Sequence, residues 1–112
     1  MKLNTLALLM LLGVAGCDDI NQVQNLITAC RDGNVEFVHS YIDSGAELDV
    51  QSLKGDTPLN VAVANKEYVI VEMLVRAGAS SVYRDVSNVS PREIAEENDD
   101  QSALKLLRTS QE

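Results

Sequence analysis

The chain of 112 residues has room for one small domain, and 46% hydrophobic and 23% charged residues are ordinary for a globular protein. Seventeen acidic against nine basic residues give a net charge of −8. That excludes the basic footprint nucleic acid needs and electrostatic attachment to anionic lipid, and it makes a partner with a basic face the natural complement.

Met1-Lys2 supplies a short positive start, and an apolar run follows from Leu3 to Val14, broken by Asn4, Thr5 and Gly13. The run is shorter than the roughly 20 residues a bilayer span takes. A positive start, a short apolar stretch and small residues after it predict a secretory signal over residues 1–16. Val14-Ala15-Gly16-Cys17 resembles the lipobox of bacterial lipoproteins. The resemblance implies cleavage after Gly16, a diacylglycerol on the Cys17 sulfur and acylation of the new amino terminus, leaving residues 17–19 as a very short tether. Several chains anchor a protein stably where one does not. Asp18 and Asp19 resemble the signal that retains lipoproteins at the periplasmic face of the inner membrane, the outer membrane being the alternative. An ordinary signal peptide, with Cys17 a spare thiol, is the competing reading.

From residue 20 onward the chain repeats itself at a step of 33. Gly45-Ala46 returns as Gly78-Ala79, Ala29 as Ala62, Thr57-Pro58 as Ser90-Pro91, and Tyr41 as Leu74 and Leu107. A fixed period of this size means stacked supersecondary units. The copies fall at about 20–51, 52–84 and 85–112. With no Trp and only Phe37, Tyr41, Tyr68 and Tyr83 as aromatics, the core is Ala, Val, Leu and Ile, which suits thin helices packed closely.

Copy one carries Leu26, Ala29, Asp32-Gly33-Asn34, Val38 and Gly45-Ala46. In copy two, Thr57 is placed to cap a helix, and Pro58 suits its first position, where a missing N–H costs nothing. Leu59, Val61, Ala62 and Val63 make that helix short, with small inward residues, and Asn65-Lys66 breaks it. A second helix is predicted from Tyr68 to Arg76, with Ile70, Val71, Leu74 and Val75 on one stripe and a Gly78 stop. The segments between copies are expected to form extended loops or hairpins. Copy three keeps Ser90-Pro91, Ile94-Ala95, Asn98 and Leu106-Leu107, with Glu96-Glu97, Lys105 and Arg108 on a solvated outer face.

Gly55-Asp56-Thr57-Pro58-Leu59, Ala62, Leu74 and Ala77-Gly78-Ala79 together resemble the ankyrin repeat. The resemblance covers roughly residues 20–109 and implies an all-α fold, a short ankyrin-repeat α-solenoid of about three repeats. Its first and last copies depart from the pattern, as caps with one face in water must. Asn60 stands where the family usually has a His that links repeats, and Lys66 replaces the usual inter-helix Gly. Both departures predict a looser second copy. The resemblance also implies protein binding along loop tips and the exposed side of the first helices. Mapped onto this chain, that surface is Leu53, Lys54, Asp56, Ala64 and Asn65 in copy two and Val86, Ser87 and Val89 in copy three, with Arg31, Asp32 and Gln51 contributed by copy one. Leu53, Tyr83, Val86 and Val89 are apolar or aromatic in segments expected to be exposed, which suggests a contact patch. Packing of Val86 and Val89 under a neighbouring loop is the alternative.

No catalytic constellation is present, so no enzymatic activity, cofactor, metal or small-molecule substrate is expected. His39 falls on a polar helix side without partners, Cys30 sits at a small-residue position inside a helix pattern, and Asp99-Asp100 reads as a helix start. The expected function is a membrane-anchored periplasmic module that binds a protein. The alternative is an immunity protein that neutralises a secreted antibacterial effector such as a phospholipase.

Overall fold

The computed structural model describes residues 20–108. The predicted signal at 1–16 and the expectations for Cys17, Asp18 and Asp19 lie outside the described residues. Six helices account for the described chain, and no strand occurs among the described residues. They are α1 (20–32), α2 (Val35–Asp43), α3 (Pro58–Ala64), α4 (Tyr68–Arg76), α5 (Pro91–Glu97) and α6 (Gln101–Arg108). They pair as α1–α2, α3–α4 and α5–α6, one pair per copy. Across copies α3 packs on α5, α4 on α6, and α2 on α4. The fold is the all-α solenoid that the 33-residue step predicts.

Local chemistry explains the helix starts. The Thr57 side chain accepts from the Asn60 N–H, and Pro58 occupies the first turn. Ser90 closes a reciprocal capping box with Glu93. Asn34 accepts from the Phe37 N–H at 3.1 Å and starts α2. The stripe Ile70, Val71, Leu74 and Val75 is the buried face of α4, as its spacing predicts. Ala29, Ala62 and Ala95, one in each copy at the same register, are all buried. Their small side chains let neighbouring first helices approach closely, and Leu26, Val38, Val63, Leu74 and Leu107 fill the space beside them.

The period is written in the backbone as well. Gly33, Lys66 and Asp99 hold the turn between the two helices of each copy at φ of +83°, +58° and +52°. This left-handed corner suits Gly and costs other residues some strain, so Lys66 and Asp99 need a reason to be there. The loops between copies also repeat. The Ser52 N–H donates to the Asp56 carbonyl and the Gly55 N–H to the Ser52 carbonyl, each at 2.8 Å. One period later, the Asp85 N–H donates to the Val89 carbonyl at 3.0 Å and the Asn88 N–H to the Asp85 carbonyl at 2.9 Å. The expected hairpins are therefore tight turns closed by two bonds, too short to make strands.

One start is incomplete. Glu67 has the backbone of a cap, with φ −87° and ψ 77°, but makes no side-chain cap bond. Its carboxylate lies over Gly33 instead. Asn34, one period earlier, has nearly the same backbone at φ −81° and ψ 86° and does cap. Glu67→Asn is therefore expected to stabilise the domain by about 1 kcal/mol, read as a higher urea midpoint at unchanged slope.

Candidate partner-binding surface

The two closed turns present most of the predicted residues along one edge. Leu53 is 77% and Val86 69% exposed, large values for aliphatic side chains. Lys54 and Ser87 are exposed beside them, and Asp56 and Val89 are half-buried. Ala64 and Asn65 are exposed at the other end of α3, away from the turns. Arg31 lies 4.0 Å from the Asp56 carboxylate, bringing copy one to this edge. Both readings of Val86 hold in part. Its N–H donates to the Gly55 carbonyl at 3.1 Å and its side chain lies against Gly55, while most of that side chain stays in solvent. Val89 is committed to holding the loop, through its N–H to Asp85 at 3.0 Å and its carbonyl to Asn60.

Asp85 organises the copy-three tip. Its Oδ1 accepts from the Ser87 and Val89 N–H groups at 2.8 and 3.0 Å, and its Oδ2 accepts from Asn60 Nδ2 at 3.1 Å. An acid that folds its own loop this way is a recurrent turn device, and Asp85 was legible as such from its place before Ser87 and Asn88. Arg84 adds a two-pronged bond to Glu93, at 2.9 Å through Nη1 and 2.7 Å through Nη2. The bonded guanidinium holds the Glu93 carboxyl below the usual carboxylate range, helped by the Ser90 N–H.

The joints between copies show what Asn60 and Lys66 hold on to. Asn60 has enough reach: its amide donates to Asp85 and, at 2.9 Å, to the Val89 carbonyl. Lys66 is tied by charge, its ammonium 3.6 Å from the buried Asp100 carboxylate. The Tyr68 hydroxyl donates to the same carboxylate at 2.9 and 3.0 Å, and Asp100 accepts from the Ala103 N–H at 3.1 Å to start α6. Burial pushes the Asp100 carboxyl up, but the Ala103 N–H, the Tyr68 hydroxyl and Lys66 together hold it below the ordinary value of 3.8. Copies one and two are joined by Gln24 accepting from the Leu53 N–H at 3.0 Å and Asp49 accepting from the Ser80 N–H at 3.0 Å. Gln51 adds a bond to the Arg84 carbonyl at 3.1 Å.

The reactive side chains are accounted for. Cys30 is fully buried, and burial pushes its thiol up to about 12, so it packs as a small hydrophobe. His39 is exposed and 3.2 Å from Asp43, four residues on along α2. Among the described residues, no group of His, Cys, Asp and Glu could hold a metal ion, and no helix is long and apolar enough to cross a membrane.

Stacked helix pairs, repeated corners and tight tips facing one edge define a helical repeat scaffold for protein interaction. The family profile described as ankyrin repeats (three copies) matches residues 3–111, and the chain belongs to the ankyrin-repeat family. It is similar to palmitoyltransferase ZDHHC13 of Homo sapiens, 42% identical over 57 residues, covering 51% of this chain and 9% of that protein. It is also similar to the potassium channel GORK of Arabidopsis thaliana, 30% identical over 82 residues, covering 73% of this chain and 10% of the channel. The chain thus spans about a tenth of the length of these relatives. Among solved structures, the ankyrin repeat domain of Bcl-3 superposes with a TM-score of 0.69 at 31% identity, covering 76% of this chain and 39% of that one. Ankyrin-repeat folds are characteristically interaction scaffolds.

Proposed function

We propose that the protein is a lipid-anchored module at the periplasmic face of the inner membrane that captures a protein partner along its loop edge. The observation that carries the binding edge is the pair of exposed aliphatic side chains, Leu53 and Val86, on the tips of successive closed turns. Lys54, Asp56, Ser87 and Val89 complete the contact surface around them. The anchor is Cys17, with Asp18 and Asp19 as the retention signal; its support is the lipobox-like Val14-Ala15-Gly16-Cys17 behind a signal-like run. Two residues between Cys17 and Ile20 would hold the edge close to the bilayer, where confinement favours membrane-proximal partners. The net charge of −8 favours a partner with a basic face. The same charge favours a second reading, in which the captured protein is a secreted antibacterial effector such as a phospholipase and occupancy neutralises it.

Crosslinking in membranes followed by purification tests the reading. A specific partner is expected with the wild-type chain and is lost when Leu53, Lys54 and Val89 are replaced together. Retention of every specific partner by that variant would remove the proposed edge. Cys17→Ser is expected to move the protein out of the membrane fraction; a variant that stays there defeats the anchor. The inhibitor reading predicts that a deletion strain is hypersensitive to the effector, and it fails if sensitivity is unchanged.

A further inference from the structure

Of the six exposed large aliphatic residues among those described, three share one register, and Val35, Val69 and Val82 lie outside it. Ile20, Leu53 and Val86 are 48%, 77% and 69% exposed and occupy one register, each 33 residues from the next. They are also contiguous in space. Ile20 and Leu53 line the same shallow hollow with Val23, Gln51 and Ser52. Val86 lies against Gly55, two residues past Leu53 and in the same closed turn. Each copy thus contributes one apolar rung to a continuous edge. Solubility alone favours polar residues at a loop tip, and three rungs in register are not what isolated exposed aliphatics look like.

We propose that this ladder reads a net basic protein segment in the polyproline II conformation that carries an aliphatic side chain at every third residue. The inference rests on the protein-binding reading above and supplies the chemistry of the partner. Adjacent helices pack about 8–10 Å apart, so the rungs recur at about that interval. A polyproline II helix rises about 3.1 Å per residue with three residues per turn, so side chains three apart share one face and match one rung interval. The charge of −8 selects a basic segment and repels the two other occupants an apolar edge could take, an anionic lipid surface and a second copy of this chain. Three separated side chains also fall short of the roughly 800 Å² per partner that a stable dimer takes, while they suit a short linear segment.

The test is fluorescence polarisation with the full chain and two labelled twelve-residue peptides of identical composition, rich in Lys and Ser. One carries Leu at every third position, the other the same three Leu at every second position. The in-register peptide is expected to bind about tenfold more tightly than the shifted one. Leu53→Ser, the central rung, is expected to weaken it about tenfold, and Ile20→Ser or Val86→Ser about threefold. Unchanged urea midpoints for the three variants show that the fold is intact. Equal affinity for the two peptides, or no loss in any rung variant, overturns the proposal. So does protection of the rungs from hydrogen exchange by phosphatidylethanolamine and phosphatidylglycerol vesicles, or by raised protein concentration, in place of protection by the peptide. If rung variants still capture the crosslinked partner of the wild type, the ladder falls and the protein-binding reading stands. If neither peptide nor partner binds the wild-type chain, both fall.

Discussion

Gly55→Ala is expected to cost about 3 kcal/mol, the largest loss from any single added methyl group in the loops. Two effects add at this position. Gly55 is at φ +91°, where an L side chain is strained by about 1–2 kcal/mol. A β-carbon there would also overlap the β-carbon and a methyl of Val86. That neighbour cannot swing aside, since the overlap is with the atom next to its backbone and its N–H is bonded to the Gly55 carbonyl at 3.1 Å. The two loop tips would have to part, at a further cost of about 1–3 kcal/mol. Gly45→Ala is the control. Gly45 is at φ +79° with open space where a β-carbon would go, so only the strain applies and the loss is about 1 kcal/mol. Urea denaturation of both variants measures the difference; equal losses would mean that the Val86 contact does not hold the tips together.

Asp100→Ala should cost about 2–3 kcal/mol at neutral pH. The variant removes the cap of α6 and the acceptor of the Tyr68 hydroxyl, and it leaves Lys66 in a left-handed corner without its counter-charge. Asp100→Asn should cost less, because an amide oxygen can still cap and accept. A pH dependence goes with it. The folded protein holds the Asp100 carboxyl below its ordinary 3.8, so folding is favoured by the ionised form. That contribution is fully present above the unfolded value and fades as pH falls below it toward the folded value. Glu93, held below its ordinary 4.5 by Arg84, acts in the same direction. The gap between wild type and Asp100→Ala is therefore expected to shrink as pH falls below about 4 in thermal melts. A gap constant across that range would show that the carboxylate charge contributes nothing to the joint.

The sequence carried the frame of the fold because the period is redundant. Ala29 and Ala62 share a register, Thr57-Pro58 and Ser90-Pro91 start helices by the same chemistry, and the α4 stripe is visible from spacing alone. The joints were less legible. Asp100 was readable as a helix start, but its pairing with Tyr68 and Lys66 crosses from one copy to the next, and a pattern repeated within copies does not reveal bonds between them. Asn60 was judged by side-chain length against His, when what decides its reach is how near the Asp85 turn approaches α3. Along the binding edge, Leu53 and Val86 stood out as apolar residues in loops. Ile20 did not, because it begins a helical pattern, although subtracting one period from Leu53 points to it.

The two joints differ in what holds them. Copies two and three share the buried Asp100 carboxylate and the Asn60 amide inserted beneath the next turn. Copies one and two are linked by surface bonds from Gln24, Gln51 and Arg31, by the half-buried bond from the Ser80 N–H to Asp49, and by α2 packed on α4. In a linear array, stability is set by each interface in turn. Such a chain does not open as a single piece. An end copy, with one interface, is expected to open before the middle copy, which has two. A ligand laid across all three copies would therefore act first as a splint, tying the end copies to the middle one.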